Sequence, residues 1–342
     1  MKIWIDVLTP KQLLFAEPLI KKLKKNNDLL CTSRKYNEVT KLTKIRNLDL
    51  IFVGKHGGSE KESKLRFSIN RMNKLLTKIT KFEPDITISF CSPEAARVSF
   101  GLGIKHIAFC DSPHADAVMR LTLPLIQKLL IPNAIPKKEF TKYGIEQEKI
   151  IPYNAIDAFV TIQRRYTNNT KLPFENNQRK NILIRIEEEE ASYASKSKII
   201  IPIIKKIIKD HKNENIVVLG RYKKQIQDLK EQTNREIKIV EMSFDGKYLL
   251  KNTDIFIGSG GTMTAEAALM GIPTISYNAV PNIIEKFLVK KTLVKREIDP
   301  KKISRYITKI FQSTNDERQI RAKEVIQEME DPIEKLIKII KE

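Results

Sequence analysis

A glycine-rich segment in the second half of the chain carries the residues best suited to hold a phosphate group. It runs DIFIGSGGTMTAEAALMGIPTISYN over residues 254–278. Its apolar start predicts a strand, followed by a helix that begins near Thr262. Glycines let backbone N–H groups approach a ligand without a Cβ clash, and a helix N-terminus attracts anions. Gly260, Gly261 and Thr262 are therefore predicted to face a phosphate group. Strand-to-helix crossings also need glycine for packing alone, so a structural interpretation stays open.

Glu266 extends this predicted site towards a ribose. It follows Thr262 by four residues, which is one helical turn, so the two side chains should face the same way. A carboxylate there can accept two hydrogen bonds from a ribose diol. The segment is not a Walker loop, because no GK[ST] follows, and it is not a GxGxxG fingerprint. The predicted ligand is a phosphate group together with the ribose of a nucleotide.

A second group of reactive side chains follows a predicted strand that ends at Cys110. The segment DSPHADAVMR places Asp111, His114, Asp116 and Arg120 close together in the chain. Aspartate beside histidine suits proton transfer, because histidine titrates near neutrality. These four are the predicted catalytic residues. A helix N-terminus, capped by the aspartate or by the serine after it, is the alternative.

Two loops after earlier predicted strands could face a second substrate. The segment GKHGGS, residues 54–59, offers Lys55 and His56 to a phosphate or an acceptor, although a flexible turn explains the glycines equally well. The loop after the first strand offers Thr9 and Lys11, with an ordinary loop as the alternative. These four are predicted to lie on the acceptor side.

Arg185 ends the first predicted strand of the second half, where a guanidinium could neutralise a diphosphate. Four glutamates follow at residues 187–190. Adjacent carboxylates repel one another and do not converge on one ion without special folding, so we predict a solvated loop and no bound metal. His106 starts a strand and His211 ends a helix, and both are predicted to be structural.

The elements that must position these residues alternate between strand and helix, which predicts parallel sheets covered by helices. Short apolar strand candidates occur at residues 2–8, 29–32, 50–53, 86–90, 106–110, 129–132, 150–153, 182–186, 216–219, 237–240, 254–257 and 274–277. The polar segment TNNTKLPFENNQRK, residues 167–180, predicts a linker. The expected domains are residues 1–166 and 181–320, both Rossmann-like, with a C-terminal helical segment at 321–342. Ligands of such sheets bind beyond the carboxyl ends of the strands.

The bulk composition limits the classes of protein. With 342 residues, of which 41% are hydrophobic, the chain can bury two cores and is not disordered. Its net charge of +21, from 62 basic and 41 acidic residues, favours polyanionic partners. The lysines alternate with glutamates along predicted helices, so the charge alone does not favour nucleic acid as a partner.

The location follows from what the sequence does not contain. Cys31, Cys91 and Cys110 are widely spaced and predict reduced thiols. No apolar run reaches the roughly 20 residues of a membrane span, and no signal peptide precedes the first strand. A cytoplasmic protein is therefore expected, with peripheral membrane contact left open.

The segment GSGGTMTAEAALMGIPTIS closely resembles the donor-site motif of GT-B glycosyltransferases and of the related UDP-N-acetylglucosamine 2-epimerases. In those families the glycine loop and helix start hold the diphosphate, and the helix glutamate holds the ribose. The resemblance carries these roles onto Ser259, Gly260, Gly261, Thr262 and Glu266. It implies nucleotide-sugar binding.

Three further segments extend the resemblance over nearly the whole chain. MKIWIDVLTPKQLLFAEPLIKKL, VGKHGGS and FCDSPHADAVMRLTLPL are similar to an uncharacterised, largely archaeal domain-of-unknown-function family with a GT-B fold. This family is related to the glycosyltransferases and epimerases. The implied fold class is α/β, GT-B-like, with two facing Rossmann-like domains and a central cleft. The first domain would lie on the acceptor side and the second on the nucleotide-sugar side.

The function that the resemblance implies first is glycosyl transfer from a nucleotide sugar, with UDP as the expected nucleotide. The nucleotide sugar is then a substrate, and no cofactor is expected. Helix N–H groups and positive charge would stabilise the leaving diphosphate, while His114 or Asp111 deprotonates an acceptor hydroxyl. Domain closure would exclude water.

Two other functions stay open. Epimerisation of UDP-N-acetylglucosamine needs several acid and base groups, which Asp111, His114 and Asp116 could supply. However, CSPEAARV after Phe90 lacks the acidic residue expected near that loop, and LIRIEEEEASY lacks the expected histidine. A non-catalytic nucleotide- or nucleic-acid-binding protein is the third hypothesis, and its binding would fall steeply with salt.

The acceptor of a transfer reaction is not identified by the sequence. A lipid-linked molecule or a polyanionic surface glycan would suit the charge. Residues 121–135 are apolar and could touch a membrane, although a core helix that leads into a strand is the favoured interpretation.

Overall fold

A computed structural model describes most of the chain. The described residues are 1–58, 60–166, 172–175, 178–186, 199–220, 223–233, 238–241, 245–278, 282–313 and 317–341. They form two compact units, of which the first comprises Met1–Thr161 and Glu330–Glu342 and the second comprises Ile162–Met329. Part of the predicted linker, namely residues 167–171 and 176–177, lies outside the described residues, as does the glutamate run at 187–190.

In the described part of the first unit, parallel strands form one sheet in the order β3-β2-β1-β4-β5-β6-β7. The strands are β1 Lys2–Asp6, β2 Asp28–Lys35, β3 Ile51–Lys55, β4 Ile86–Ser89, β5 Lys105–Phe109, β6 Lys128–Pro132 and β7 Ile150–Tyr153. The helices are α1 Pro10–Leu23, α2 Asn37–Ile45, α3 Lys61–Phe82, α4 Pro93–Gly101, α5 Asp116–Thr122, α6 Lys138–Thr141 and α7 Asp157–Gln163. Because the strand order reverses between β1 and β4, the loops after these strands diverge and leave a crevice at the carboxyl edge.

The second unit repeats this architecture in the order β10-β9-β8-β11-β12-β13. Its strands are β8 Asn181–Arg185, β9 Asn215–Gly220, β10 Lys238–Glu241, β11 Ile255–Gly258, β12 Thr274–Ser276 and β13 Lys295–Arg296. Its helices are α8 Ile200–Asp210, α9 Lys223–Gln232, α10 Gly246–Lys251, α11 Thr262–Leu269, α12 Ile283–Lys290, α13 Pro300–Gln312 and α14 Glu317–Gln327, and the chain then returns to the first unit through α15, Pro332–Lys341. Isoleucines of β8, β11, α8 and α13 fill the core on one face of the sheet.

A buried chain of polar groups fixes α3 to the first sheet. The indole of Trp4 donates to the Thr32 hydroxyl at 2.8 Å, and that hydroxyl donates to Asp6 at 2.6 Å. Arg71 of α3 donates to the same carboxylate at 2.5 Å and to the Val53 carbonyl oxygen at 3.1 Å. Since Asp6 is the last residue of β1, Arg71 lies level with the carboxyl ends of the strands.

The structure also shows the positions of residues 121–135 and of the two histidines that the sequence predicts to be structural. Residues 121–135 contain the end of α5, a short 3-10 helix and β6, and most of their apolar side chains are buried, with Leu121 exposed. His106 is buried against the Ser89 hydroxyl, 2.8 Å from Nε2. His211 is buried with its Nε2 3.3 Å from the Ser304 carbonyl oxygen. Within the described part of the chain, no helix has both the length and the apolar character needed to cross a membrane.

Candidate functional site

Loops at the carboxyl edge of the first sheet bring together a lysine and two aspartates. Lys11, near the start of α1, is paired with Asp111, which follows β5. Its Nζ also lies 2.8 Å from a carboxylate oxygen of Asp157, the first residue of α7. The Tyr153 hydroxyl donates to Asp157 at 2.6 Å. We call these four residues the Lys11 cluster.

Exposure separates the two carboxylates of the Lys11 cluster. The side chain of Asp111 is 20% exposed and that of Asp157 is 5% exposed. Asp111 also accepts a hydrogen bond of 2.8 Å from the Ser112 hydroxyl. Asp111 is therefore the carboxylate that a substrate can reach, and Asp157 supports Lys11 from the buried side.

The pKa values of the two carboxyl groups move apart. Burial opposes the charge of Asp111, but Lys11 and the Ser112 hydroxyl outweigh it and the pKa of Asp111 is lowered. For Asp157, burial and repulsion by Asp111 raise the pKa despite Lys11. Burial would lower the pKa of Lys11, yet its two aspartates raise it above the usual value. Carboxyl groups whose environments separate their pKa values are typical of acid and base pairs.

The other predicted catalytic residues take different positions. One side of His114 is open to solvent, and the protein packed on its other side lowers its pKa, which Asp111 partly offsets. Asp116 and Arg120 pair with each other on the surface of α5, with Nε to carboxylate oxygen at 2.9 Å. The structure thus brings Lys11 to Asp111, with His114 close enough for their charges to act on it, while Asp116 and Arg120 form an ordinary helical ion pair.

The predicted acceptor-side residues also separate. Thr9 caps α1 by accepting a hydrogen bond from the Gln12 N–H at 3.4 Å. Lys55 is exposed at the end of β3, the outer strand of the sheet. The His56 ring lies beside Tyr36 with centroids 5.0 Å apart, and its Nδ1 accepts from the Gly58 N–H at 3.1 Å. In the sheet order, β2 separates β3 from β1, and β5 and β7 lie on the far side of β1. Lys55 and His56 therefore belong to a different part of the edge from the Lys11 cluster.

Asp157 and Tyr153 are the residues that sequence reasoning missed. Residues 150–153 were predicted as a strand, and the rule that active residues follow strands could have pointed to Asp157. The segment PYNAIDAF after that strand contains no glycine pair and no histidine. An isolated aspartate at a helix start also fits an ordinary N-terminal charge, which gave no reason to select it.

The second unit presents backbone groups instead of a charge cluster. After β11, Gly260 adopts a φ of +81°, and Gly261 is the N-cap residue of α11 with no side-chain cap hydrogen bond. The Gly260 N–H donates to the Thr264 hydroxyl at 3.2 Å, and the Asn282 amide donates to the Gly260 carbonyl oxygen at 3.0 Å. We call residues 258–261 the glycine loop. Hydrogen bonds to Thr264 and Asn282 hold the loop in place, and the first N–H groups of α11 have no partner within the helix.

Space around the glycine loop is uneven. A Cβ on Gly261 would meet no heavy atom within 4 Å, whereas one on Gly260 would lie 2.8 Å from the Glu285 carboxylate. Ser259 and Thr262 flank these glycines and are partly exposed. The open side of the loop is therefore at Gly261 and Thr262, where an anion can approach.

Glu266 and Arg185 lie near this loop in the second unit. Glu266 of α11 is 7% exposed, and its Oε2 would be 3.9 Å from a Cβ on Gly246. Arg185 ends β8, the neighbour of β11, and its Nη1 donates to the Gly220 carbonyl oxygen at 3.4 Å. The Tyr277 hydroxyl donates to the Arg185 carbonyl oxygen at 3.1 Å. Arg185 and the glycine loop therefore share one carboxyl edge.

Glu285 is a further residue that the sequence did not single out. It is fully buried on α12 behind Gly260. Burial raises its pKa, against the nearby Ser276 hydroxyl and Arg296. Among the residues that the structure describes, no group of three or more histidine, cysteine, aspartate or glutamate side chains could hold a metal ion.

Comparisons with known proteins can now be set beside this geometry. The model of a family described as protein of unknown function (DUF354) matches residues 1–342. The uncharacterized protein MJ0665 of Methanocaldococcus jannaschii is 30% identical over 319 residues, which is 90% of this chain and 91% of that protein.

Solved structures share the fold. The UDP-GlcNAc 2-epimerase of Neisseria meningitidis, bound to UDP-GlcNAc, is similar with a TM-score of 0.74 and 17% identity over 94% of each chain. Spinosyn rhamnosyltransferase SpnG, complexed with thymidine diphosphate, is similar with a TM-score of 0.65 and 12% identity over 100% of each chain. At these identities the likeness concerns the fold alone. The predicted GT-B-like α/β fold class is confirmed.

Proposed function

This chain belongs to the DUF354 family, and we propose that it is a nucleotide-sugar-dependent glycosyltransferase that holds the donor diphosphate at the glycine loop. The match over residues 1–342 confirms the resemblance to a domain-of-unknown-function family, and the relative in Methanocaldococcus jannaschii agrees with its archaeal character. Proteins of the same fold were solved with UDP-GlcNAc or thymidine diphosphate bound. They support the choice of ligand class.

The observation that carries the proposal is the open N-terminus of α11. Gly261 provides no side chain, a Cβ there would meet nothing within 4 Å, and no side chain caps the helix. Outward N–H groups and the helix dipole favour a diphosphate at this position. Arg185 at the end of the adjacent strand adds a positive charge on the same edge. Glu266 is proposed to bind the ribose, as the family resemblance implies.

In the transfer reaction, Asp111 of the Lys11 cluster acts as the general base. It takes the proton of an acceptor hydroxyl while that oxygen bonds to the anomeric carbon and the carbon–oxygen bond to the diphosphate breaks. Lys11 keeps Asp111 ionised, since its charge lowers the pKa of that carboxyl group. Asp157 is a positioning residue, because it holds Lys11 from the buried side. The N–H groups of α11 stabilise the leaving diphosphate.

Epimerisation at C2 of UDP-GlcNAc is the second candidate. One observation favours it: the Lys11 cluster holds two carboxyl groups whose pKa values are shifted in opposite directions. In this reaction Asp111, the more exposed carboxylate, would exchange the proton at C2, and Asp157 would act through Lys11. An epimerase needs no acceptor, so product analysis separates the two reactions.

Calorimetric titration with UDP and UDP-GlcNAc tests the binding site. Wild type should bind both, and Glu266→Gln should weaken both, since the amide loses one acceptor for the ribose diol. Absence of binding by wild type, or binding only of polyanions in a strongly salt-dependent manner, would refute the nucleotide-sugar proposal and favour the basic-surface hypothesis.

Proton NMR of UDP-GlcNAc in D₂O tests the reaction. Release of UDP without deuterium at C2 supports transfer, here with water as the slow acceptor. Deuterium at C2 together with the manno product supports epimerisation. Tight binding without either change excludes epimerisation of this sugar nucleotide and shows that water does not serve as the acceptor.

A further inference from the structure

We propose that the first half of α3 docks the protein on the surface of an anionic lipid bilayer. This inference concerns α3 alone and does not depend on the proposed reaction. It rests on the exposure of large apolar side chains, on the position of the helix, and on the sign of the surrounding charge.

Three exposed apolar residues of α3 form a stripe along one side of the helix. Leu65 is 62% exposed, Ile69 54% and Leu76 45%. Their spacing of four and seven residues places them along one side of the helix. Single exposed apolar residues are ordinary, but a row of them marks an interaction surface.

The first ten residues of α3 extend past the part of the helix that the core holds. Arg71, Leu75 and Ile79 are the buried residues of this helix. Because Arg71 binds Asp6 at the end of β1, and because a crossover helix runs against its strands, the residues before it lie beyond the carboxyl edge. At a rise of about 1.5 Å per residue they extend roughly 15 Å further. Gly57 of the preceding loop packs against the backbone of Lys64, which leaves the apolar stripe uncovered by it.

The charge of α3 selects an anionic surface. Six of its basic residues are exposed, and three of them, Lys61, Lys64 and Arg66, lie in the first half that is proposed to dock. The helix has one acidic residue, Glu62, which pairs with Arg66 at 2.7 Å. Lysine and arginine beside a row of exposed leucine and isoleucine are the composition of a helix that lies at a lipid interface.

The same charges disfavour a second copy of the chain as the occupant. The positions beside the stripe carry Lys61 and Arg66, so two α3 helices packed through it would place like charges against each other. A lipid headgroup layer supplies the missing anions and the acyl boundary receives the apolar stripe. The free half of α3 also lies on the carboxyl-edge side, where the Lys11 cluster is found.

Co-sedimentation with vesicles tests the docking surface. Full-length protein is mixed with phosphatidylcholine vesicles with or without phosphatidylglycerol. Wild type should bind the anionic vesicles, and the double variant Leu65→Ser, Ile69→Ser should bind at least ~10-fold more weakly, since it loses the buried apolar area. The double variant Lys64→Glu, Arg66→Glu should also bind the anionic vesicles weakly, and the binding that is left should depend less on salt.

A matched control makes the test specific. Ile320→Ser changes a side chain that is 56% exposed on α14, and it should bind vesicles like wild type. Circular dichroism and thermal unfolding confirm that each variant is folded. Equal binding of all variants would overturn the proposal. So would a wild-type dimer that the Leu65→Ser, Ile69→Ser variant converts to a monomer, because the stripe would then belong to a second copy.

Discussion

Each of the two sheets has a candidate site at its own carboxyl edge, and the two sites are of different kinds. In the first unit, the Lys11 cluster joins residues that are far apart in sequence, from the loops after β1, β5 and β7. In the second unit, the glycine loop and α11 lie within one short segment after β11. A contiguous segment can be found by its motif, whereas a cluster from distant loops depends on the strand order.

The difference is also chemical. The Lys11 cluster contains ionisable side chains whose pKa values are shifted by burial and by one another. The glycine loop offers backbone N–H groups, whose charge does not change with pH. We expect the first edge to control the rate of a reaction and the second to control affinity for the nucleotide. The following predictions test this division, from the largest effect to the smallest.

Asp111→Asn should cause the largest loss. Removing a general base typically lowers the rate by about 10²–10⁴-fold, while the affinity for UDP should stay unchanged because the second unit is intact. Steady-state turnover and calorimetry measure the two quantities. Asp49→Asn, which alters an exposed aspartate of the same unit, is the control. A loss of UDP affinity equal to the loss of turnover would break the proposed division.

Two neighbouring glycines should separate stability from affinity. Gly260→Ala places a Cβ 2.8 Å from the Glu285 carboxylate in a left-handed conformation, and should destabilise the second unit by about 1–3 kcal/mol. Gly261→Ala meets no neighbour within 4 Å. It should leave the unfolding free energy within about 0.5 kcal/mol of wild type, yet lower UDP affinity ~10-fold by blocking the phosphate. Thermal unfolding measures the stability of both variants, and calorimetry measures their affinity for UDP. Normal UDP binding by Gly261→Ala would show that the diphosphate does not bind at this position.

Acid should weaken the first unit through His106. Burial lowers its pKa from 6.5 to about 3. Below pH 6.5 His106 binds a proton in the unfolded chain but not in the folded chain. The contribution of His106 to the free energy of unfolding is therefore fully present above pH 6.5 and is lost as the pH falls towards 3. The expected loss is about 2 kcal/mol between pH 7 and pH 5. Urea unfolding of wild type and His106→Gln measures it, and an unchanged pH slope in the variant would contradict the assignment.

Glu285 should give the second unit a smaller dependence of opposite sign. Burial raises its pKa, so the folded state holds the proton more firmly than the unfolded state does. The stabilisation is fully present below pH 4.5 and is lost as the pH rises through the folded pKa. Glu285→Gln keeps the shape of the side chain and should remove this dependence. The unfolding midpoint of the second unit, measured as a function of pH, should then change less with pH than that of wild type.

The sequence predicted the contiguous segment of the second unit better than the cluster of the first unit. Alternating short apolar runs were enough for the parallel sheets, and residues 150–153 coincide with β7. The glycine loop lay where its motif placed it, between β11 and α11. Asp157, Tyr153 and Glu285 were missed, because no motif in their own neighbourhood of the chain marks them, although Asp157 follows a predicted strand. Their roles arise when packing buries them beside Lys11 or behind Gly260, which local periodicity cannot report.

The return of the chain to the first unit through α15 has a consequence for biosynthesis. Helix α15 buries Ile333 and Leu336, and Lys335 donates to the Pro152 carbonyl oxygen at 2.7 Å. The ribosome therefore makes the whole second unit before it makes the segment that completes the first. During that interval the nascent first unit exposes the apolar surface that α15 later covers, and a chaperone that recognises apolar segments would find its binding site there.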